Sequence, residues 1–99
     1  MNINTKKENG ILTIRVEGKI DTGTAPEFES AVKGEIGQCS KLVFDFEKLS
    51  YISSAGLRVL LGAQKFMGEG EMKVINVNDT VNDIFEITGF SFVLDITRA

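Results

Sequence analysis

Two adjacent serines, Ser53 and Ser54, are the residues of this chain best suited to chemistry, because a serine hydroxyl can accept a phosphoryl group. They follow the apolar, β-prone run 41–46 (KLVFDF) and precede a segment with helical spacing of apolar residues. A helix start presents unpaired backbone N–H groups and the positive end of the helix dipole, so a phosphate on Ser54 would be stabilised there. Serine at such a point more commonly caps the helix. Physical reasoning alone leaves both roles, and both serines, open.

The chain lacks the groups that most enzyme mechanisms need. It has no histidine, which excludes a Ser-His-Asp triad and histidine metal sites, and Ser54 is not in a Gly-x-Ser-x-Gly setting. The segment 68–71 (GEGE) lacks the lysine and the spacing of a phosphate-binding loop, so it predicts a turn. Asp21 and Asp45 could share one end of a sheet with Ser54 as a metal or acid–base pair, but loop carboxylates are the commoner explanation. We expect no catalytic residue, no metal and no cofactor.

Length and charge restrict the remaining classes of protein. The chain has 99 residues, 42% of them hydrophobic and 25% charged, which predicts one domain over residues 1–99. Its net charge of −3 gives no attraction to nucleic acid or anionic lipid, and no apolar stretch approaches the ~20 residues of a membrane span. Cys39, the single cysteine, cannot form an internal disulfide, and no leader is apparent. We expect a cytoplasmic protein.

The first half of the chain predicts a hairpin, a helix and a strand. Asn9-Gly10 is a strong hairpin signal between strands at 2–7 and 11–17, and Gly18 is expected to end the second strand. The run 24–27 (TAPE) has the form of a capping box with proline in the first turn, and it predicts a helix that ends near Gly37. The buried strand at 41–46 follows.

The second half alternates helix and strand. A helix from Ser54 to about Gly68 has apolar residues around most of its circumference, so most of its surface is expected to be buried. A strand at 72–77 and a short helix capped by Asn78 or Asp79 come next, with Gly89 in a left-handed conformation after it. The run 90–96 predicts a final strand, with Phe90 and Phe92 in the core. The fold class is therefore α/β, with a mixed sheet of about five strands and helices packed mainly on one side.

Three short motifs give the chain a family resemblance. The segments 18–21 (GKID), 54–57 (SAGL) and 88–90 (TGF) resemble, in order and spacing, the STAS domain of bacterial anti-sigma factor antagonists, and the resemblance covers essentially the whole chain. In that family, a serine followed by a small residue, glycine and an aliphatic residue is phosphorylated by a partner-switching serine kinase, and this pattern matches Ser54. The family usually has aspartate just before the phosphoserine. Here Ser53 holds that position and is the second acceptor candidate.

The resemblance implies a function in transcription control. The unphosphorylated protein would bind an anti-sigma factor of the serine-kinase type and release its sigma factor, phosphorylation of Ser54 would abolish the binding, and a metal-dependent serine/threonine phosphatase would reverse it. ATP and Mg²⁺ would belong to the kinase. The alternative is an unmodified STAS-like adaptor or structural subunit of a transporter or signalling assembly. The residues expected to bind the partner are Asp21, Thr22, Ser53, Ser54, Ala55, Gly56 and Arg58.

Overall fold

A computed structural model describes residues 1–99 as six strands and three helices. The strands are β1 (Asn2–Glu8), β2 (Ile11–Ile20), β3 (Lys41–Asp45), β4 (Leu49–Ile52), β5 (Met72–Val77) and β6 (Ile96–Arg98). The helices are α1 (Ala25–Glu35), α2 (Ser54–Met67) and α3 (Asp79–Thr88), with short 3₁₀ turns at Ile36–Gln38 and Phe90–Phe92.

The strands form one mixed sheet, as the sequence predicts. β1 is antiparallel to β2, and all other pairs are parallel, in the order β1-β2-β3-β5-β6. The turn between β1 and β2 has positive φ at both Asn9 (53°) and Gly10 (80°), which is the geometry of a tight hairpin and confirms that prediction. The sheet has six strands rather than about five, because β4 pairs with the far end of β2.

Alternation along the strands separates a buried face from an open one. Leu12, Ile14 and Val16 of β2 are fully buried on the face that the helices cover. The residues between them point the other way, and exposed cations such as Arg15 and Lys73 lie on that uncovered face. The helices therefore pack on one side of the sheet, in agreement with the predicted fold class.

Two predictions about strand ends were wrong. Gly18 does not end β2: it has a φ of 100° and lies where the pairing register shifts, so the strand bulges and continues to Ile20. Between the run 41–46 and the serines, where no strand was predicted, Leu49–Ile52 forms β4. In β4 the two end residues are buried and the two middle ones exposed, so the sequence lacks the two-residue alternation that identifies a strand.

The start of α1 also differs from the prediction. Thr24 precedes the helix, but its side chain makes no capping bond to the first turn, so the predicted capping box does not form. Its hydroxyl instead donates to the carbonyl of Lys19 at 2.9 Å and accepts the N–H of Asp21 at 2.9 Å. Thr24 therefore organises the turn before the helix.

In the second half, three further expectations were wrong: two about burial and one about where the final strand begins. Only Gly56, Leu57, Leu60 and Ala63 of α2 are buried, and Ala55, Val59 and Met67 are half-buried beside them, so one face of the helix packs against the domain. Phe66 is 64% exposed. The predicted final strand at 90–96 begins only at Ile96, because the chain after Gly89 turns through Phe90–Phe92. Phe90 packs against the core, as predicted, whereas Phe92 is 92% exposed.

Asp45, the last residue of β3, fixes the turn that leads into β4. Its side chain is buried, with 6% of its surface exposed, and accepts hydrogen bonds from Arg15 at 3.0 Å, Asn76 at 3.1 Å and the backbone N–H of Glu47 at 3.1 Å. These bonds satisfy a carboxylate that would otherwise be costly to bury. Asp45 is thus a structural residue and not one half of a carboxylate pair at the serines.

We expect acid to weaken the fold in part through Asp45. Burial raises the pKa of this carboxyl, but the hydrogen bonds from Asn76, Glu47 and Arg15 outweigh it and hold the pKa below its usual range. Because the folded-state pKa is the lower one, the stabilisation is complete above the unfolded value of about 3.9 and is lost as the pH falls through the folded value. Asp45→Asn should lower the free energy of unfolding by about 1–3 kcal/mol at pH 7 and flatten the acid-induced loss.

Urea titrations at several pH values, followed by circular dichroism, measure this effect. Asp83→Asn removes an exposed carboxylate of α3 and is the matched control, which should change stability little. If the stability of Asp45→Asn fell with pH in the same way as that of the wild type, this role of Asp45 would be contradicted.

Candidate functional site

The two predicted acceptor serines lie where β2 and β4 end side by side. Ile20 of β2 pairs with Ile52 of β4, and the backbone N–H of Ser53 donates to the carbonyl of Ile20 at 2.7 Å. Asp21 and Ser54 each follow directly on these bonded residues, so the β2–α1 turn and the start of α2 are adjacent. The sheet therefore brings together segments that are 32 residues apart in the chain.

The serines differ in environment. Ser53 precedes α2 in an extended conformation, and its hydroxyl oxygen accepts the backbone N–H of Gly56 at 3.3 Å; the residue is buried, with 7% of its surface exposed. Ser54 is the first residue of α2 and is exposed. Capping is thus done by Ser53. The hydroxyl of Ser54 is not needed for it.

Gly56 permits the close approach of α2 to the sheet. A Cβ at this position would lie 2.7 Å from Cγ2 of Ile20 and 2.8 Å from Cγ1 of Ile52, both fully buried side chains. Such distances are too short for any larger residue without a shift of the helix. The glycine of the motif at 54–57 therefore sets the position of the helix start.

Asp21 and Thr24 hold the neighbouring turn by reciprocal bonds. The N–H of Thr24 donates to Oδ1 of Asp21 at 2.9 Å, and the N–H of Asp21 donates to Oγ1 of Thr24 at 2.9 Å. The bond from the backbone N–H of Thr24 lowers the pKa of the Asp21 carboxyl from its ordinary value, so Asp21 is ionised at neutral pH. Asp21 is exposed, and it is both a turn residue and a negative charge beside the helix start.

A groove runs between α1 and α2 from this point. Its upper hollow, about 220 Å³, is lined by Thr22, Ala25, Pro26, Glu29, Ala55, Arg58 and Val59. Its lower hollow, about 180 Å³, is more apolar and is lined by Glu29, Val32, Lys33, Ile36, Arg58, Val59, Gly62, Ala63 and Phe66. Arg58 belongs to both hollows, so they form one continuous surface, here called the α1–α2 groove. Glu29, Val59 and Phe66 of this groove were not among the residues predicted to bind a partner.

The structure brings most of the predicted contact residues to one surface. Asp21, Thr22, Ser54 and Arg58 are exposed, and Ala55 is half-buried in the upper hollow. Ser53 and Gly56 are buried below that surface, where they position it. No group of three or more acidic, cysteine or histidine side chains could hold a metal ion, and no helix has the length and apolarity needed to cross a membrane.

Comparison with known proteins identifies the family. The STAS domain model matches residues 2–99, so this chain belongs to the STAS domain family. The chain is 28% identical over 102 residues to the provisionally named anti-sigma factor antagonist BtrV of Bordetella bronchiseptica, which covers 100% of this chain and 88% of that protein. It is 26% identical over 101 residues to the anti-sigma-B factor antagonist of Staphylococcus aureus, covering 99% and 94%.

Solved structures share the fold. An anti-sigma factor antagonist from Mycobacterium paratuberculosis superposes with a TM-score of 0.89 at 21% identity, covering 99% of this chain and 86% of that one. The phosphorylated form of the Bacillus cell fate determinant SpoIIAA gives 0.73 at 19% identity, covering 96% and 90%. A sulfate transporter family protein from Wolinella succinogenes gives 0.75 at 14% identity, covering 91% and 78%. These likenesses confirm the α/β fold class predicted from the sequence.

The close contact at Gly56 predicts opposite effects for two glycine substitutions in the same helix. Gly56→Ala should lower the free energy of unfolding by about 1–3 kcal/mol, because the added methyl group collides with two core side chains. At Gly62 a Cβ meets no atom within 4 Å, so Gly62→Ala should raise it by about 0.5–1 kcal/mol through helix propensity alone. Urea denaturation of both variants measures the difference. An unchanged free energy of unfolding for Gly56→Ala would show that α2 does not need this contact.

The division of roles between the serines predicts unequal effects on stability. Ser53→Ala removes the cap and should cost about 1 kcal/mol, whereas Ser54→Ala should change the free energy of unfolding by less than about 0.5 kcal/mol. Thermal and urea unfolding of the two variants, compared with the wild type, measure both values. A larger loss for Ser54→Ala than for Ser53→Ala would reverse the assignment of the cap.

Proposed function

We propose that this chain is an anti-sigma factor antagonist that works by partner switching. In its unphosphorylated form it binds an anti-sigma factor that is also a serine kinase, and the sigma factor held by that protein is released. Phosphorylation of Ser54 abolishes the binding. The observation that carries the proposal is that Ser54 is exposed at the first position of α2 while Ser53 is buried as the cap, so a kinase can modify Ser54 without removing the cap.

The family supports this reading. Two relatives that align over nearly the whole chain are named as anti-sigma factor antagonists, and a protein with the same fold, SpoIIAA, has a phosphorylated form. The motif at 54–57 carries the serine, small residue, glycine and aliphatic residue in the order that the resemblance requires. Within the proposal the chain is cytoplasmic, and it has no catalytic role. ATP and Mg²⁺ are bound by the kinase, and a metal-dependent serine/threonine phosphatase restores the binding form.

The charge of the phosphate explains the loss of binding. Phosphoserine adds about −1.5 to −2 charges at pH 7. The free protein tolerates this charge because the first N–H groups of α2 have no acceptor within the helix and the dipole is positive at that end. In a complex the phosphate would be desolvated next to Asp21, and this like-charge contact is unfavourable. A penalty of about 3 kcal/mol would lower the affinity roughly a hundredfold, which is enough to exchange partners.

The proposed contact surface follows from exposure around the switch. Thr22, Ala55 and Arg58 line the upper hollow of the α1–α2 groove, and the exposed residues Asp21 and Ser54 precede Thr22 and Ala55 in the chain. These five residues offer their side chains or backbone to a partner. Ser53 and Gly56 contribute by setting the position of the helix start. The five contact residues contribute one carboxylate and one guanidinium, and the upper hollow beside them is lined by both polar and apolar side chains.

A second candidate function keeps the fold without the switch. The likeness to the transporter family protein favours it, because that protein carries the same fold at a TM-score of 0.75. In this reading the chain is an adaptor or structural subunit of a transporter or signalling assembly, and Ser54 stays unmodified. The two functions differ in whether a change at Ser54 alters binding.

Binding to the purified anti-sigma kinase of the same organism tests the proposal. Wild type and Ser54→Ala should bind, and Ser54→Asp should bind roughly a hundredfold more weakly by calorimetry while remaining folded. With ATP and Mg²⁺ added, mass spectrometry should find one phosphate on Ser54 of the wild type and none on Ser54→Ala. Ser53→Ala should still be phosphorylated.

Thr80→Asp is the matched control for charge. Thr80 is exposed in the first turn of α3, as Ser54 is in the first turn of α2, so the variant adds the same charge in the same kind of position. It should bind like the wild type. A phosphate found on Ser53 would correct the site, and tight binding by folded Ser54→Asp would favour the adaptor.

A further inference from the structure

We propose that Arg58 is the internal partner of a phosphate on Ser54, and that phosphorylation thereby withdraws the Arg58 guanidinium from the α1–α2 groove. The inference rests on the proposed phosphorylation of Ser54 and concerns how the phosphate changes the surface that the partner contacts. The switch then has two parts: a negative charge is added at the helix start, and a positive charge is removed from the surface that the partner contacts.

The geometry of α2 favours this pair. Ser54 and Arg58 are four residues apart in the helix and both are exposed, so they lie on the same side of it, one turn apart. Side chains of a helix lean toward its N-terminus, which directs the long side chain of Arg58 over the turn that holds Ser54. The order is also favourable, because the anion precedes the cation.

Arg58 is available for a new partner, unlike the other arginines. The chain has three arginines. Arg15 bonds to Asp45 at 3.0 Å, and Arg98 is paired with Asp79. Arg58 makes no ion pair and no side-chain hydrogen bond, although Glu29 lines the same groove; Glu29 lies 3.6 Å from Lys33 instead. A guanidinium is well suited to the task, since its planar donors match two oxygens of a phosphate.

The consequence for binding follows from where Arg58 lies. It lines both hollows of the groove, between Thr22 and Ala55 at the upper end and Ala63 and Phe66 at the lower end. In the unmodified protein its guanidinium can meet an acidic group of a partner there. Once it is held by the phosphate, the upper hollow offers that acidic group no counter-charge, because its remaining charged side chain is Glu29 and the nearest lysine of the groove, Lys33, lies in the lower hollow beside Glu29. The partner therefore loses an attraction in addition to meeting a repulsion.

The test installs phosphoserine at position 54 of the full chain during translation, so that no kinase is needed. In the ¹⁵N-arginine spectrum, phosphorylation should shift the Nε–H signal of Arg58 and leave those of Arg15 and Arg98 unchanged. In ³¹P titrations, the phosphate of the wild type should have a lower midpoint than that of Arg58→Gln, with Arg58→Lys between them. Asp21 and Glu29, the carboxylates near this surface, are the same in every variant, so any difference in the ³¹P midpoint is due to residue 58.

Lys65→Gln is the matched control, because Lys65 is another exposed cation of α2 with no ion pair, eleven residues beyond Ser54. Its phosphate should titrate as in the wild type. An unshifted Arg58 signal, or an equal ³¹P midpoint in wild type and Arg58→Gln, would overturn the inference. Because the phosphate is introduced without an enzyme, these results do not depend on whether a kinase modifies Ser54, which the binding and phosphorylation experiment above decides separately.

Discussion

The contact between the start of α2 and the paired ends of β2 and β4 determines the geometry of the candidate site. Gly56 lets the helix approach the buried side chains of Ile20 and Ile52, and a 2.7 Å backbone bond joins Ser53 to Ile20. The helix start is therefore held by core packing and by the sheet together. Because well-packed interiors resist small displacements, the exposed serine at position 54 has a defined position that does not depend on a flexible loop.

The same contact gives the two adjacent serines different environments. Ser53 satisfies a helix N–H from inside the protein, and Ser54 meets the solvent directly after it. Behind them, Asp45 and its three donors hold the turn that delivers β4 to this point. A modification of Ser54 consequently leaves the supporting bonds intact. Its effect is expected in the charge of the surface and in nearby side chains such as Arg58, without a change of fold.

The sequence predicted well whatever depends on local chemistry. Asn9-Gly10 identified the hairpin, Asn78 was one of two named caps for α3, and Gly89 adopts the left-handed conformation expected after that helix. The order of elements other than β4, and the serine at the start of α2, were also predicted, because strand and helix periodicities differ clearly there.

Local sequence patterns did not predict the features that depend on long-range packing. β4 exists because Leu49 and Ile52 pair with the bulged end of β2, which no local alternation reveals. Thr24 bonds to Asp21 and Lys19, although its spacing to Glu27 is that of a capping box. Phe92 was assigned to the core from its type alone, whereas the turn after Gly89 directs it outward. The sequence also did not predict which of Ser53 and Ser54 is exposed, because this depends on the long-range backbone bond between Ser53 and Ile20.

The phosphate proposed for Ser54 would act electrostatically over a short distance only. With a neutral hydroxyl below it, the surface near Ser54 carries two carboxylates, Asp21 and Glu29, and one guanidinium, Arg58, so it is slightly negative before any modification. A phosphate on Ser54 would make this region strongly anionic. Mobile ions screen such a field within about 8 Å in physiological salt, whereas β2, ten residues long, separates the site from the hairpin turn by roughly 30 Å. A charge added at Ser54 would therefore be screened before it reached the hairpin end of the domain, and a protein bound at that end would not respond to it electrostatically.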